Sequence, residues 1–159
     1  RHGRYFLERG HPVTLVDRQT EALLDLEPDQ RATVIQADLE DGSPWPLNEK
    51  YAGVVVVNYL HRPLTENLLE SLEPGGLLIY ETFARGNENF SRPRNPDHLL
   101  KSGELLQMVL GRLQVIAYEH GIREKCPLPG VIQRICAVNN LDQSVREDRE
   151  PQVLNLEPK

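Results

Sequence analysis

Four places in this 159-residue sequence combine residue type and position in ways that could do chemistry. Asp17 closes the apolar run Val13 to Asp17 (VTLVD). An acid there can accept hydrogen bonds from both ribose hydroxyls of an adenosine-containing cofactor, or simply cap the next helix. Asp38, in Gln36-Ala37-Asp38-Leu39, repeats the residue type about 21 positions on. Its carboxylate can accept from an adenine amino group while the Leu39 amide meets a ring nitrogen; a surface turn would use the same residues. Asn58-Tyr59-Leu60-His61 follows the run Val54 to Val57, and the chain turns polar and aromatic there. Tyr59 and His61 are the candidate catalytic side chains, although a lone His also serves in packing. Finally, Arg85, Arg92 and Arg94 stand in the polar stretch Ala84 to Asp97. Guanidinium groups match the oxygens of an anionic substrate, and they also suit a solvated loop.

The elements that must position these residues follow from periodicity. Gly3 to Arg9 reads as a short helix stopped by Gly10 and Pro12. VTLVD reads as a buried strand. Gln19 to Leu26 reads as a helix with Thr20 as its cap and Pro28 beyond its end. Thr33 to Gln36 is a second strand, and Asp38 to Lys50 a loop. Val54 to Asn58 (VVVVN) is a third strand, apolar on both faces, as suits a parallel strand covered by helices on both sides. Leu64 to Leu72 has helical spacing, ended by Glu73-Pro74-Gly75-Gly76. Leu77 to Phe83 is a fourth strand, and the long loop after it is of a length that usually carries function or disorder. Such a loop is expected to be mobile and to order over a cleft when substrate arrives. Gly103 to Gly111 is a helix. Leu113 to Tyr118 and Val131 to Asn139 are the last strands, close enough for a hairpin. Together these predict an α/β fold with a doubly wound, mostly parallel sheet and one reversed strand near an edge. Ligands of such sheets bind beyond the carboxyl ends of the strands, where all four candidate places lie.

Composition narrows the field. The net charge of −6 and an aromatic share of 6% argue against a general nucleic-acid partner, which needs basic surface and stacking rings. No apolar run approaches the roughly 18 residues of a membrane helix. Two cysteines, Cys126 and Cys136, make no disulfide framework and suit reduced thiols in the cytoplasm. With His120 they match no structural zinc spacing, so no metal is expected. Residues 140–159 read as a polar tail whose apolar patch is Val153 to Leu156.

Residues 1–139 resemble a class I S-adenosylmethionine-dependent methyltransferase, of the small bacterial tellurite-resistance-like kind. The resemblance rests on Arg1-His2-Gly3-Arg4 leading into a helix, VTLVD, QADLEDGSPWPL, VVVVNYLHRPL, LEPGG before LLIYETF, and the closing strand pair. It implies a Rossmann-like sheet in the order 3-2-1-4-5-7-6 with the seventh strand antiparallel. It implies that Asp17, with Arg18 beside it, holds the ribose of S-adenosylmethionine, that Asp38 and Leu39 frame the adenine, and that Asn58 lies beside the methionine moiety. Tyr59 and Leu60 would lie near the methyl group. Arg85, Asn87 and Arg92 would help form the pocket of a small-molecule substrate. The family's first strand and its glycine-rich turn have no counterpart in this sequence. A chain lacking them is therefore expected to hold the cofactor poorly unless a further strand fills the place. A methyltransferase-fold module without catalysis and a nicotinamide-dependent dehydrogenase remain the alternatives, and the oligomeric state is left open.

Overall fold

The computed structural model describes residues 1–124, 129–141 and 146–155. The chain divides into two compact units, residues 1–48 and 49–159.

In the first unit, helix α1 (His2–Glu8) packs on strand β1 (Val13–Asp17). Gly3 makes that approach possible, since a Cβ there would lie 2.6 Å from Leu15 Cδ2. β1 pairs in parallel with β2 (Ala32–Gln36), from Val13 opposite Ala32 to Asp17 opposite Gln36. The helix expected over 19–26 is instead a 3-10 helix, Glu21–Leu26, and Thr20 precedes it without a side-chain cap bond. Arg4 ties this segment to α1 with two bonds to Asp25, at 2.6 and 3.2 Å, and one to the Ala22 carbonyl at 3.0 Å.

The second unit is a four-stranded sheet in the order β3-β4-β6-β5, built from β3 (Tyr51–Val57), β4 (Leu72–Phe83), β5 (Gln114–Arg123) and β6 (Gly130–Val138). β3 and β4 run parallel, and β6 runs antiparallel to both β4 and β5. The expected hairpin and reversed strand are both present. Within each unit the order matches part of the implied one, 3-2 in the first and 4-5-7-6 in the second, and β1 and β3 each lack a second strand partner among the described residues.

Helices α2 (Thr65–Glu70) and α3 (Glu104–Val109) are shorter than the periodicity suggests: Arg62–Leu64 forms a 3-10 turn before α2 and β4 begins at Leu72 just after it, while Gly103 precedes α3 in a left-handed conformation and Leu110 leaves helical backbone at ψ 130°. Leu69, Leu105 and Val109 bury with Val56, Leu78, Tyr80 and Ile135 in one core. Alternation along β3 and β4 sends Val55, Leu77 and Ile79 the other way, where they remain 38%, 38% and 41% exposed. The expectation that VVVVN is covered on both faces is thus corrected: among the described residues, one face of this sheet is packed and these side chains on the other stay open.

LEPGG also behaves differently from a simple helix stop. β4 already begins at Leu72, opposite Tyr51, and the next registered pair is Gly53 with Leu77. The extra residues form a bulge held by Asn139, the residue after β6: Gly75 N donates to Asn139 O at 2.7 Å and Asn139 N to Gly76 O at 2.9 Å. A Cβ on Gly76 would fall 2.8 Å from Tyr51 O and 2.9 Å from Glu73 O, both backbone atoms with little room to yield. Gly76→Ala is therefore expected to lower unfolding free energy by about 1–3 kcal/mol, the range for overpacking. Gly53→Ala, whose Cβ would sit 3.7 Å from Leu77 O, should cost far less. Urea unfolding midpoints of the two variants check this.

Candidate functional site

Parallel pairing puts the carboxyl ends of β1 and β2 at one edge of the first unit, and both candidate acids sit there. Asp17 Oδ1 accepts from Gln19 N at 2.9 Å, and Asp38 Oδ1 accepts from Glu40 N at 3.0 Å. Each thus closes a turn with its own following backbone. The ladder continues past the strands through Ala37 N to Asp17 O at 3.0 Å, and Gln36 Nε2 donates to Arg18 O at 3.2 Å. Arg18 stands 3.9 Å from Asp38 Oδ2, a loose and largely exposed pair. Asp17 Oδ2 has no protein partner among the described residues, so one oxygen of a solvent-facing carboxylate is available to a ligand hydroxyl.

At the carboxyl end of β3 in the second unit, Asn58 adopts φ = 55°, a left-handed conformation that Asn tolerates better than most residues. Its amide donates to Glu81 O at 2.9 Å, which ends the parallel ladder and turns the chain out of the sheet. Tyr80 Oη donates to Tyr59 O at 2.9 Å and locks the next peptide. Burial pushes the Tyr80 phenol up, so it keeps its proton and remains a donor. Leu60 is buried in the core and anchors the turn from beneath. His61 precedes the 3-10 turn Arg62–Leu64 and accepts from Leu64 N at 3.1 Å through its carbonyl. A residue held in left-handed backbone at a strand's carboxyl end is the kind of local strain that gathers at functional sites.

The loop after β4 is not an open strap. It contains two 3-10 turns, Asn87–Asn89 and Pro96–His98. Asn87 is wholly buried, and its Nδ2 donates to Pro93 O at 3.1 Å and Ser91 O at 3.4 Å. Gly130 must be glycine beside it, since a Cβ there would fall 2.3 Å from Asn87 Oδ1. Asn87 therefore braces the loop from within and presents no side-chain atom at its surface. Glu88 accepts from Gly86 N at 2.7 Å and faces Arg85 Nε at 3.5 Å; the backbone bonds come first among the interactions that hold its carboxyl below the usual range. Arg85 and Arg92 are exposed.

Glu81 was not assigned a role on sequence grounds. Its carboxylate takes Arg123 NH1 at 2.6 Å and Arg134 NH1 at 3.7 Å, and Arg134 also pairs with Glu119. The signal was available in parity: Glu81 lies in phase with Leu77 and Ile79, on the open face. Among the described residues, no cluster of three His, Cys, Asp or Glu side chains could hold a metal ion. Cys136 is partly buried and burial raises its thiol, while Cys126 lies outside the described residues. Among the described residues, no helix is long and apolar enough to cross a membrane.

No family model and no curated protein matches the sequence. Solved structures do match. TehB from Haemophilus influenzae aligns with a TM-score of 0.65 at 14% identity, covering 82% of this chain and 50% of that one. The 1,6-didemethyltoxoflavin-N1-methyltransferase of Burkholderia thailandensis, solved with 1,6-didemethyltoxoflavin and S-adenosylhomocysteine bound, aligns at 0.60 and 18%, covering 87% and 66%. A SAM-dependent methyltransferase from Methanosarcina mazei aligns at 0.60 and 14%, covering 86% of each chain. The chain thus spans half the length of the TehB structure it matches. These likenesses establish the fold, which is the Rossmann-like fold of class I S-adenosylmethionine-dependent methyltransferases.

Asn87→Ala removes the bond to Pro93 O, worth about 1 kcal/mol, so amide exchange across residues 88–96 should quicken roughly fivefold. Exchange in β5 and β6 should stay unchanged, as read by mass spectrometry.

Proposed function

We propose that this protein is an S-adenosylmethionine-dependent methyltransferase acting on a small molecule, with residues 1–139 as its methyltransferase domain. The observation that carries the reading is the pair of acids, Asp17 and Asp38, at one carboxyl edge of a parallel pair within this fold. The left-handed Asn58 at the end of β3 supports it. A net charge of −6 suits a cytoplasmic bacterial enzyme without a nucleic-acid or membrane partner.

S-adenosylmethionine, when bound, supplies a methyl group on a sulfonium centre, which is open to in-line displacement. The chain's work is then placement and solvation. Asp17 accepts from the ribose hydroxyls with the oxygen its own turn leaves free, and Arg18 flanks it. Asp38 accepts from the adenine amino group, and the Leu39 backbone meets the ring. Asn58 lines the methionine moiety, and the Tyr59-Leu60 turn borders the methyl group, held rigid by the Tyr80 bond and the buried Leu60 side chain. Tyr59 and His61 are our candidates to take a proton from a nucleophile that must lose one. Arg85 and Arg92 meet an anionic portion of the substrate, on a loop that Asn87 shapes.

Isothermal titration with S-adenosylmethionine and with NAD tests the reading. Weak binding of the first, in line with the unpartnered edges of β1 and β3, and no binding of the second are expected. Asp17→Ala should weaken it by at least about 1.5 kcal/mol, roughly tenfold, the worth of hydrogen bonds to a charged group. Binding of NAD, or an unchanged dissociation constant in Asp17→Ala, would overturn the assignment.

A further inference from the structure

Arg62 directly follows the Asn58–His61 turn, and its guanidinium reaches two other segments of the second unit. Nε and NH2 fork onto Glu104 Oε1 and Oε2 at 2.5 and 3.0 Å. NH1 donates to Asp97 O at 2.6 Å, and NH2 also reaches Leu99 O at 3.1 Å. Glu104 Oε2 in turn accepts from Lys101 N at 2.7 Å. Burial works against the Glu104 charge, but the Arg62 bonds and the Lys101 amide outweigh it and hold its carboxyl below the usual range.

These contacts fall on the neck of the 85–98 loop. The loop's two ends meet there: Arg85 N donates to Leu100 O at 2.9 Å, and Leu100 N to Phe83 O at 3.0 Å. The wholly buried Gln133 of β6 grips the same stretch, with Nε2 donating to Lys101 O at 2.6 Å and Oε1 accepting from Leu105 N at 3.2 Å. Gln133 thus fixes the neck to the sheet, and Arg62 fixes it to the turn after β3. Only a planar, forked donor can serve a bidentate carboxylate and two carbonyls together; a lysine ammonium offers a single point of charge.

We infer that Arg62 is a positioning residue, which with Glu104 locks the neck of the 85–98 loop to the Asn58–His61 turn so that the two move as one piece. Resting on the proposed methyltransferase reading, this couples the substrate-side loop to the turn bordering the methyl group. A shift of the loop on its substrate is then felt at Tyr59 and His61 without any contact between the loop tip and those residues.

The test is amide exchange by mass spectrometry on the intact chain for Arg62→Ala, Arg62→Lys and Glu104→Gln. Amides of β5 and β6 serve as the internal reference. Exchange should quicken roughly tenfold in both 58–61 and 95–104, alike in Arg62→Ala and Glu104→Gln. Arg62→Lys should stay quickened, and millimolar methylguanidinium should restore protection to Arg62→Ala. Quickening confined to 95–104 would reduce Arg62 to a loop staple and overturn the proposal. So would full protection in Arg62→Lys, or no recovery with methylguanidinium. If Arg62→Ala does not fold, Glu104→Gln and Arg62→Lys decide the matter by the same two segments. None of these readings requires bound S-adenosylmethionine, so a protein that fails to bind it refutes the function and leaves the clamp standing.

Discussion

The candidate site in the second unit depends on where the parallel ladder between β3 and β4 stops. Val57 opposite Glu81 is the last registered pair, and Asn58 N to Glu81 O is the last bond. Beyond it the chain must leave the sheet, and it does so through left-handed backbone at Asn58. β4 can impose this because it is paired on both edges, in parallel to β3 and antiparallel to β6, and because Leu78, Tyr80 and Thr82 are buried on its packed face. A strand so held does not shift register, since a one-residue slip would turn those side chains out. The same strand supplies the Tyr80 hydroxyl that fixes the Tyr59 carbonyl. One strand thus sets both the end of the ladder and the shape of the turn after it.

The first unit reaches a similar result with less material. Two five-residue parallel strands bring Asp17 and Asp38 to one edge, and each acid spends one oxygen on its own turn. This self-bonding explains why exposed acids can be held in defined orientations without buried partners. The edges facing away from these pairings, of β1 in one unit and β3 in the other, have no strand partner among the described residues. A strand edge of such apolar sequence is a demand for a further strand.

Much of this was legible beforehand, and the rest was hidden for physical reasons. VTLVD and LLIYETF announce themselves because β-branched and aromatic runs have few other uses. The carboxyl-end placement of Asp17, Asp38 and Asn58 followed from strand order alone. The open face bearing Val55, Leu77 and Ile79 was not legible, because an apolar run looks the same whether or not something covers it. The bulge within LEPGG was hidden as well, since Pro-Gly-Gly reads as a stop and its hold from Asn139 is long-range. The resemblance implies a substrate contact for Asn87, and only the structure shows its amide turned inward. Arg62 and Glu104 are 42 positions apart, and no local pattern joins them.

The central claim is the proposal that Asp17 and Asp38, at the carboxyl edge of β1 and β2, hold the adenosine portion of S-adenosylmethionine. Backbone amide chemical-shift mapping with S-adenosylhomocysteine tests it most directly. The account predicts shifts concentrated at Asp17–Gln19 and Asp38–Glu40, with β5 and β6 quiet. Saturable shifts centred elsewhere, or none at either segment, would contradict it.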